Sequence, residues 1–385
     1  MSSLDGRQEI VVIGGGLAGG SVACTLAQAG RPILLIERYP EPRHKVCGEF
    51  LSIEAQAYLA HLGIDLDSLG ASRISVLRLI HGRNTAEVDL PFVARGLSRK
   101  ILDEALLQQA SLAGARIVRG TSVRSLSSYE ERIRVEAGSL GEVHADTLFL
   151  ATGKHDLRGA KRQPTGSIGD LIGFKMHYSL AESQRCALEG AIEVLLFTGG
   201  YAGLQLIEDG VANLCLVVSQ KQFEQVGKNW TSLLDHIAQE CPLLGEHLQG
   251  AVPLFDRPLS IFQIPYGFLH TPNPDEPQNL FRLGDQAGVI PSFTGDGMSI
   301  ALHSGCLAAA TFLAHGHAST MFHRRIQADI RRQVGLASGM NKVIRQAAGR
   351  TALFHLCRAW PSVMRHVAAL TRVEEASMQR ALGSS

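Results

Sequence analysis

The apolar run Ile10-Val-Val-Ile13 ends in a cluster of glycines, an amphipathic stretch follows, and a second apolar run, Ile33-Leu-Leu-Ile36, ends at Glu37. Short apolar runs bounded by glycine read as buried strands and the periodic stretch between them as a helix, so this segment predicts a βαβ unit. Helical spacing returns over 53–62 and 99–113, where Ile101, Leu102, Ala105, Leu106 and Ala110 share one face and Gly114 supplies a stop. Residues 74–81 alternate, turn at Gly82-Arg83-Asn84 and return through 86–90, which predicts a hairpin. Strands are expected near 116–118, 133–137 and 147–151. From 171 to 219 the pattern is β, with strands over 172–178, 192–197, 204–208 and 211–218. The last two flank Asp209-Gly210, a dipeptide that favours a two-residue hairpin turn. A helix over 221–239, a strand over 279–283 and a mostly helical stretch over 299–382, with breaks at Gly339 and Pro361, complete the pattern.

The glycines between the first two strands add chemistry. In Gly14-Gly15-Gly16-Leu17-Ala18-Gly19, Gly14 allows a tight turn, Gly16 lets backbone approach a pyrophosphate, and Gly19 lets the helix sit close to the strand. The amino terminus of that helix, at Leu17 and Ala18, then faces the phosphates. Glu37 stands eighteen residues after Gly19, where a carboxylate accepts both hydroxyls of an adenosine ribose. Strand, glycines, helix, strand and acid in register predict a dinucleotide site.

Composition bounds the rest. The 385 residues are 45% hydrophobic and 19% charged, enough chain for two lobes sharing one ligand. A net charge of +1 predicts no steering of nucleic acid. Seven cysteines without a C-x-x-C pair indicate neither a zinc site nor a disulfide framework, and with them a reducing, cytoplasmic setting is expected. The first strand begins too early for a signal peptide, and no apolar run is expected to approach the roughly 18 residues of a membrane span.

A second glycine-rich segment, Gly284-Asp285-Gln286-Ala287-Gly288 running to Phe293-Thr294-Gly295-Asp296-Gly297-Met298, puts an acid at a strand end and glycines at a helix start. Paired with the first motif, it resembles the second FAD fingerprint of the flavoproteins sharing the p-hydroxybenzoate hydroxylase fold, which include aromatic hydroxylases, flavin halogenases and geranylgeranyl reductases. The resemblance covers about 300 residues and implies that Asp285 binds the ribityl chain, while Gly295, Gly297 and Met298 place backbone N–H groups beside the flavin pyrimidine edge. A helix amino terminus there favours the negative charge of reduced flavin by roughly 0.3–1 kcal/mol. By the same resemblance Arg99 contacts the cofactor and Val123 meets adenine; Arg99 with Asp103 equally fits an i,i+4 ion pair. The segment Lys45-Val-Cys47-Gly48-Glu49, with Gly173 to Tyr178 and Pro265-Tyr266-Gly267, is similar to the geranylgeranyl reductase branch. Two departures stand out. Ala151-Thr152-Gly153-Lys154-His155-Asp156 lacks the Asp-Gly motif that hydroxylases use toward pyridine nucleotide, and no W-x-W-x-I-P halogenase segment occurs.

The fold class implied is α/β, a Rossmann-like FAD-binding domain with an inserted β-rich substrate domain and a helical carboxy-terminal region. The expected division is 1–70, 96–165 and 278–330 for FAD, 71–95 and 166–277 for substrate, and 331–385 for the terminal helices. The cofactor set is Gly14, Gly16, Leu17, Ala18, Gly19, Glu37, Arg38, Lys45, Cys47, Arg99, Val123, Asp285, Gly295, Gly297 and Met298. Candidate catalytic residues are Cys47, which otherwise reads as a small buried filler, and Lys175 and His177, which share one face of a strand. No metal is expected, because His270, His155 and the carboxy-terminal histidines lack ligand spacing.

The resemblance implies an FAD-dependent oxidoreductase fed by NAD(P)H or a partner reductase, acting on a small apolar or aromatic molecule such as a prenyl or polyketide compound. Monooxygenation through a flavin C4a-hydroperoxide is the leading expectation. Reduction of carbon–carbon double bonds is the alternative, and a dehydrogenase or electron carrier that never activates oxygen is a third. Near the carboxy terminus arginines from Arg324 to Arg365 far outnumber acids. Such basic amphipathic helices can rest on an anionic membrane or a carrier protein, or simply present a solvated face.

Overall fold

The computed structural model describes residues 6–163, 169–273 and 276–383. The boundary expected at residue 165, and both chain ends, lie outside them. Two sheets organise the rest. In the first, Gly6–Ile13 lies parallel between Ile33–Ile36 and Gly141–Leu150, with Ile10 opposite Ile33 and Val11 opposite Leu148. Arg116–Val118 extends the parallel side. The early half of Gly141–Leu150 pairs antiparallel with Arg132–Ala137, and its last residues accept Leu280–Arg282 in parallel, Leu280 opposite Leu148. Val123–Tyr129 closes the far edge. That edge strand has no counterpart in the hydrophobic pattern, because only Leu126 of its residues is buried and the rest face solvent or half-face it.

The helix Leu17–Gln28 is buried along almost its whole length, packed between the sheet, Arg99–Leu112 and the long helix Gly297–His315. Gly297–His315 corrects one expectation. By length and composition it could cross a membrane, yet most of it is buried in the core of the first domain. Small residues hid it from a search for bulky apolar runs.

The second sheet has nine strands among the described residues. The early hairpin belongs to it and is longer than the alternation predicts, Ser72–His81 with Asn84–Gly96. Gly200–Leu206 and Ala212–Ser219 are joined through Asp209 and Gly210, with φ of 57° and 69°, the positive pair that a primed hairpin turn requires. Along Leu171–Ser179, alternate residues Ile172, Phe174, Met176 and Tyr178 enter a core with Leu233 and Ile237 of Trp230–Glu240. Gly173, Lys175 and His177 take the opposite face, toward the loop 44–49.

Two helix expectations change. The stretch 221–239 is two helices, Gln220–Gln225 and Trp230–Glu240, interrupted where Gly227 and Lys228 both take positive φ. Conversely, Gly339 does not break its helix. Ser319–Arg345 runs through it because buried Ala337, Asn341 and Ile344 hold both sides, which outweighs a glycine cost of about 1 kcal/mol. The break comes at Gln346, and Pro361 separates Ala347–Ala359 from Ser362–Leu370 as its sequence implies.

Candidate active site

A continuous cavity of about 630 Å³ runs from Glu37, past Gly16 and Arg99, to Asp285, and on between the second sheet and the terminal helices. At its first end Gly14 has φ 104°, and a Cβ there would strike the carbonyl of Ala151; a Cβ on Gly19 would overlap the carbonyl of Gly14. These contacts hold strand and helix at the close approach a dinucleotide turn needs. The Gly15 N–H donates to Glu37 Oε2 at 2.6 Å and the Tyr39 N–H to Oε1 at 3.0 Å, fixing the carboxylate at the strand end. Arg38 and Val123 line the same end.

Gly16 caps the helix Leu17–Gln28 with no side-chain oxygen, so the N–H groups of its first turn are left for a ligand. A Cβ on Gly16 would lie 3.4 Å from Arg99 Nη2 and 3.7 Å from Lys45 Nζ. Two cations and a helix amino terminus thus converge on one small open spot, which suits a pyrophosphate. Both readings of Arg99 hold together: it pairs with Asp103 Oδ1 at 2.8 Å and lines the groove, while Lys45 Nζ meets Asp103 Oδ2 at 2.6 Å. Burial alone would raise the Asp103 carboxyl, but Arg99 and Lys45 hold it below the usual range.

At the other end, Asp285 Oδ2 meets Lys154 Nζ at 3.2 Å. Gly295 packs on the ring of Phe50, and Gly297–His315 starts without a side-chain cap beside Met298. Asp296, fully buried in this turn, pairs with Arg372 Nη1 at 2.7 Å, and Glu54 Oε2 lies 3.8 Å from the same nitrogen. Burial pushes the Asp296 carboxyl up to about 6 despite Arg372.

The loop 44–49 rests on a buried polar network. Glu49 takes φ 58°, a left-handed backbone that costs roughly 1–2 kcal/mol outside glycine. Its neighbours hold it there: the carboxylate pairs with Lys175, lies 3.0 Å from His177 Nε2 and accepts the Arg99 N–H at 2.7 Å, while its carbonyl accepts from Gln205 Nε2. Asn213 Nδ2 donates to the carbonyls of Cys47 and Gly48. Burial raises the Glu49 carboxyl, and Lys175 and His177 more than reverse that. The structure therefore places Lys175 and His177 behind the loop, buried and away from the cavity, while Cys47 lines the cavity near Cys215. Burial pushes the Cys215 thiol up to about 12.

Beyond the loop the cavity is largely aliphatic, with Leu77, Leu79 and Val194 on the sheet side and Ile344, Leu353 and Met364 on the helical side. One polar feature interrupts it. Tyr201 and Tyr266 hydroxyls lie 2.7 and 2.6 Å from Ser292 Oγ and 3.1 Å from each other. The sequence marked Tyr266 only as part of a family segment, and Tyr201 carried no signal beyond its place on an alternating strand. Two further groups were missed, His44–Glu49–His177 and His270–Glu276–His323, each with ligand-type atoms within 4.8 Å of one another. Both carboxylates already face cations, Lys175 and Arg282.

Residues 7–149 match the family model described as an FAD binding domain. Over longer spans the chain is similar to digeranylgeranylglycerophospholipid reductase 2 of Methanosphaera stadtmanae, 26% identical across 78% of this chain and 76% of that one. It is also similar to a menaquinone reductase of Mycolicibacterium smegmatis, 23% identical across 80% and 77%. Among solved structures, the flavin-dependent brominase Bmp2 superposes with a TM-score of 0.78 at 18% identity, covering 95% of this chain and 93% of that one. That likeness establishes the shared fold.

Proposed function

We propose that this member of the FAD-dependent oxidoreductase superfamily reduces carbon–carbon double bonds in an apolar, prenyl-type substrate. The observation that carries the reading is the aliphatic cavity continuing past the flavin end of the cofactor groove, walled by both the second sheet and the terminal helices. An apolar chain loses little by leaving water and fills such a space. Long alignments to reductases support the same choice.

The cofactor residues divide the work. Glu37 would hold the adenosine ribose, Gly16 with Arg99 and Lys45 the pyrophosphate, Asp285 the ribityl chain, and the turn Gly295 to Met298 the pyrimidine edge. Bound and reduced, FAD supplies two electrons to the substrate at its ring. Around it the aliphatic walls orient the chain and exclude water. Cys47 lines the cavity, its sulfur accepting the Glu49 N–H at 3.4 Å, and Glu49, Lys175 and His177 act as positioning residues that fix the loop carrying it. Tyr201, Tyr266 and Ser292 form the hydroxyl patch able to hold a proton or a substrate oxygen.

NAD(P)H suits the donor role. Arg38, Arg43, Lys154 and Arg162 surround His155 closely enough that, after burial, they are what lowers its pKa, and such a cationic rim fits nucleotide phosphates. A second reading is hydroxylation of an apolar or aromatic substrate in the same cavity.

Anaerobic turnover tests the choice. Enzyme supplied with NADPH, without oxygen, and given geranylgeranyl and shorter prenyl compounds should yield products that have gained two hydrogens per reduced bond. A product bearing a new oxygen atom, formed only in air, would sink the reductase reading.

A further inference from the structure

Residues 330–373 contain eight arginines and lysines and no Asp or Glu, which leaves 29 basic against 36 acidic residues in the rest of the chain. A nearly neutral protein thus carries one strongly cationic end. Three of the eight charges are spent internally: Arg345 pairs with Asp170, Arg372 with Asp296, and Arg350 is buried. The remainder point outward.

The helices Ala347–Ala359 and Ser362–Leu370 are two-faced. Their inner residues Phe354, Cys357 and Met364 are buried beside Ile344 against the cavity wall. On the outer face Ala352, Leu356 and Trp360 follow at intervals of four, one stripe of a helix, and Leu370 continues the apolar surface on the next helix. Trp360 is 62% exposed, Leu370 48% and Leu356 41%. Arg358, which donates to Asn84 Oδ1 at 2.8 Å, and Arg365 are exposed on the same two helices.

We propose that this outer face docks on an anionic lipid bilayer. Arginines beside exposed leucines and a tryptophan match both layers of such a surface: phosphate head groups take the cations, and the acyl boundary takes the apolar stripe and the amphipathic indole. An acidic protein would satisfy the charges yet offers no such apolar depth to Trp360. The same two helices wall the cavity, so docking brings the substrate chamber next to the membrane. The docking itself rests on charge and exposure; only the delivery of a lipid-dissolved substrate rests on the reductase reading.

The test uses holoenzyme with vesicles of phosphatidylcholine alone or mixed in equal parts with phosphatidylglycerol. The protein should float with the mixed vesicles, release in high salt and ignore the neutral ones. In a Trp230→Phe background, Trp360 emission should shift to the blue on binding. Leu356→Ser with Trp360→Ser, and separately Arg358→Glu with Arg365→Glu, should each weaken binding at least about tenfold with the yellow flavin retained. Absence of binding to mixed vesicles, or binding by both variants as tight as by the parent, would overturn the proposal. Binding to an acyl carrier protein with no binding to vesicles would reassign the face to an acidic protein partner. Vesicle binding without double-bond reduction would leave the docking intact and remove the reductase reading.

Discussion

Glu49 and Lys175 form an ion pair in which neither side chain reaches solvent, one on the loop that follows the second strand of the cofactor sheet, the other on a strand of the second sheet. The pair thereby ties the two sheets together beneath Cys47. Replacing Glu49 by Gln leaves the Lys175 ammonium buried without a counter-charge, which should cost about 3–5 kcal/mol in denaturant unfolding. Adding Lys175→Met to that variant should recover part of the loss. Full stability in Glu49→Gln alone would show the pair to be dispensable.

The glycines of the first turn separate folding from cofactor binding. A methyl on Gly16 meets only the ends of the Arg99 and Lys45 side chains, whereas a methyl on Gly19 overlaps backbone. Gly16→Ala should therefore fold as well as the parent and lose flavin colour, its methyl standing where the pyrophosphate belongs. Gly19→Ala should lose roughly 2–4 kcal/mol of stability whether or not FAD is added. Flavin occupancy by absorbance and melting temperature of the apoprotein read the two effects apart.

Asp296 gives the stability a pH dependence of definite sign. Its carboxyl is raised from 3.8 to about 6 by burial, so between about pH 4 and 6 the folded protein keeps a proton that the unfolded chain has released. The stability this contributes is complete below pH 4 and is lost as pH rises through 6, up to about 3 kcal/mol. Melting curves of the parent and of Asp296→Asn should accordingly diverge across this window, the parent falling relative to the variant as pH increases. Parallel curves would show that Asp296 does not titrate there.

Narrowing the cavity should change substrate preference without touching the cofactor. Leu353 lines the helical wall, far along the chain from the FAD motifs. Leu353→Trp should raise KM for a geranylgeranyl compound by about tenfold, the order expected when a few methylenes lose their pocket, while a dimethylallyl compound is little affected. Unchanged KM for both would mean that the long chain lies elsewhere.

Much of the candidate groove's lining was legible in the sequence because its signals are local. Gly14 to Gly16 and Glu37 follow strand ends and Leu17 to Gly19 open the helix between them, where backbone geometry restricts the residue type, and these residues and Asp285 line the cavity or contact a residue that does. The face of the 172–178 strand turned to the loop became visible only when Glu49, 126 positions before Lys175, was found beside it. Tyr201, Tyr266 and Ser292 meet from three separate segments, and no periodicity encodes such a meeting. The pairing of Arg372 with Asp296 escaped for the same reason. Gly339 shows the converse failure: a local helix-breaking signal overruled by buried neighbours on either side.

The strand Leu280–Arg282, which completes the first sheet beside Gly141–Leu150, delivers Asp285 and the Gly295 turn from the far side of the whole second sheet. A ribosome makes the chain in order, so the amino-terminal glycine turn emerges long before the residues that face it across the groove. The segment matched as an FAD binding domain ends before those residues are synthesised. The two sides of the groove are therefore remote in sequence and are brought together by the pairing of Leu280–Arg282 with the end of Gly141–Leu150, a non-local contact of the kind that is slow to form.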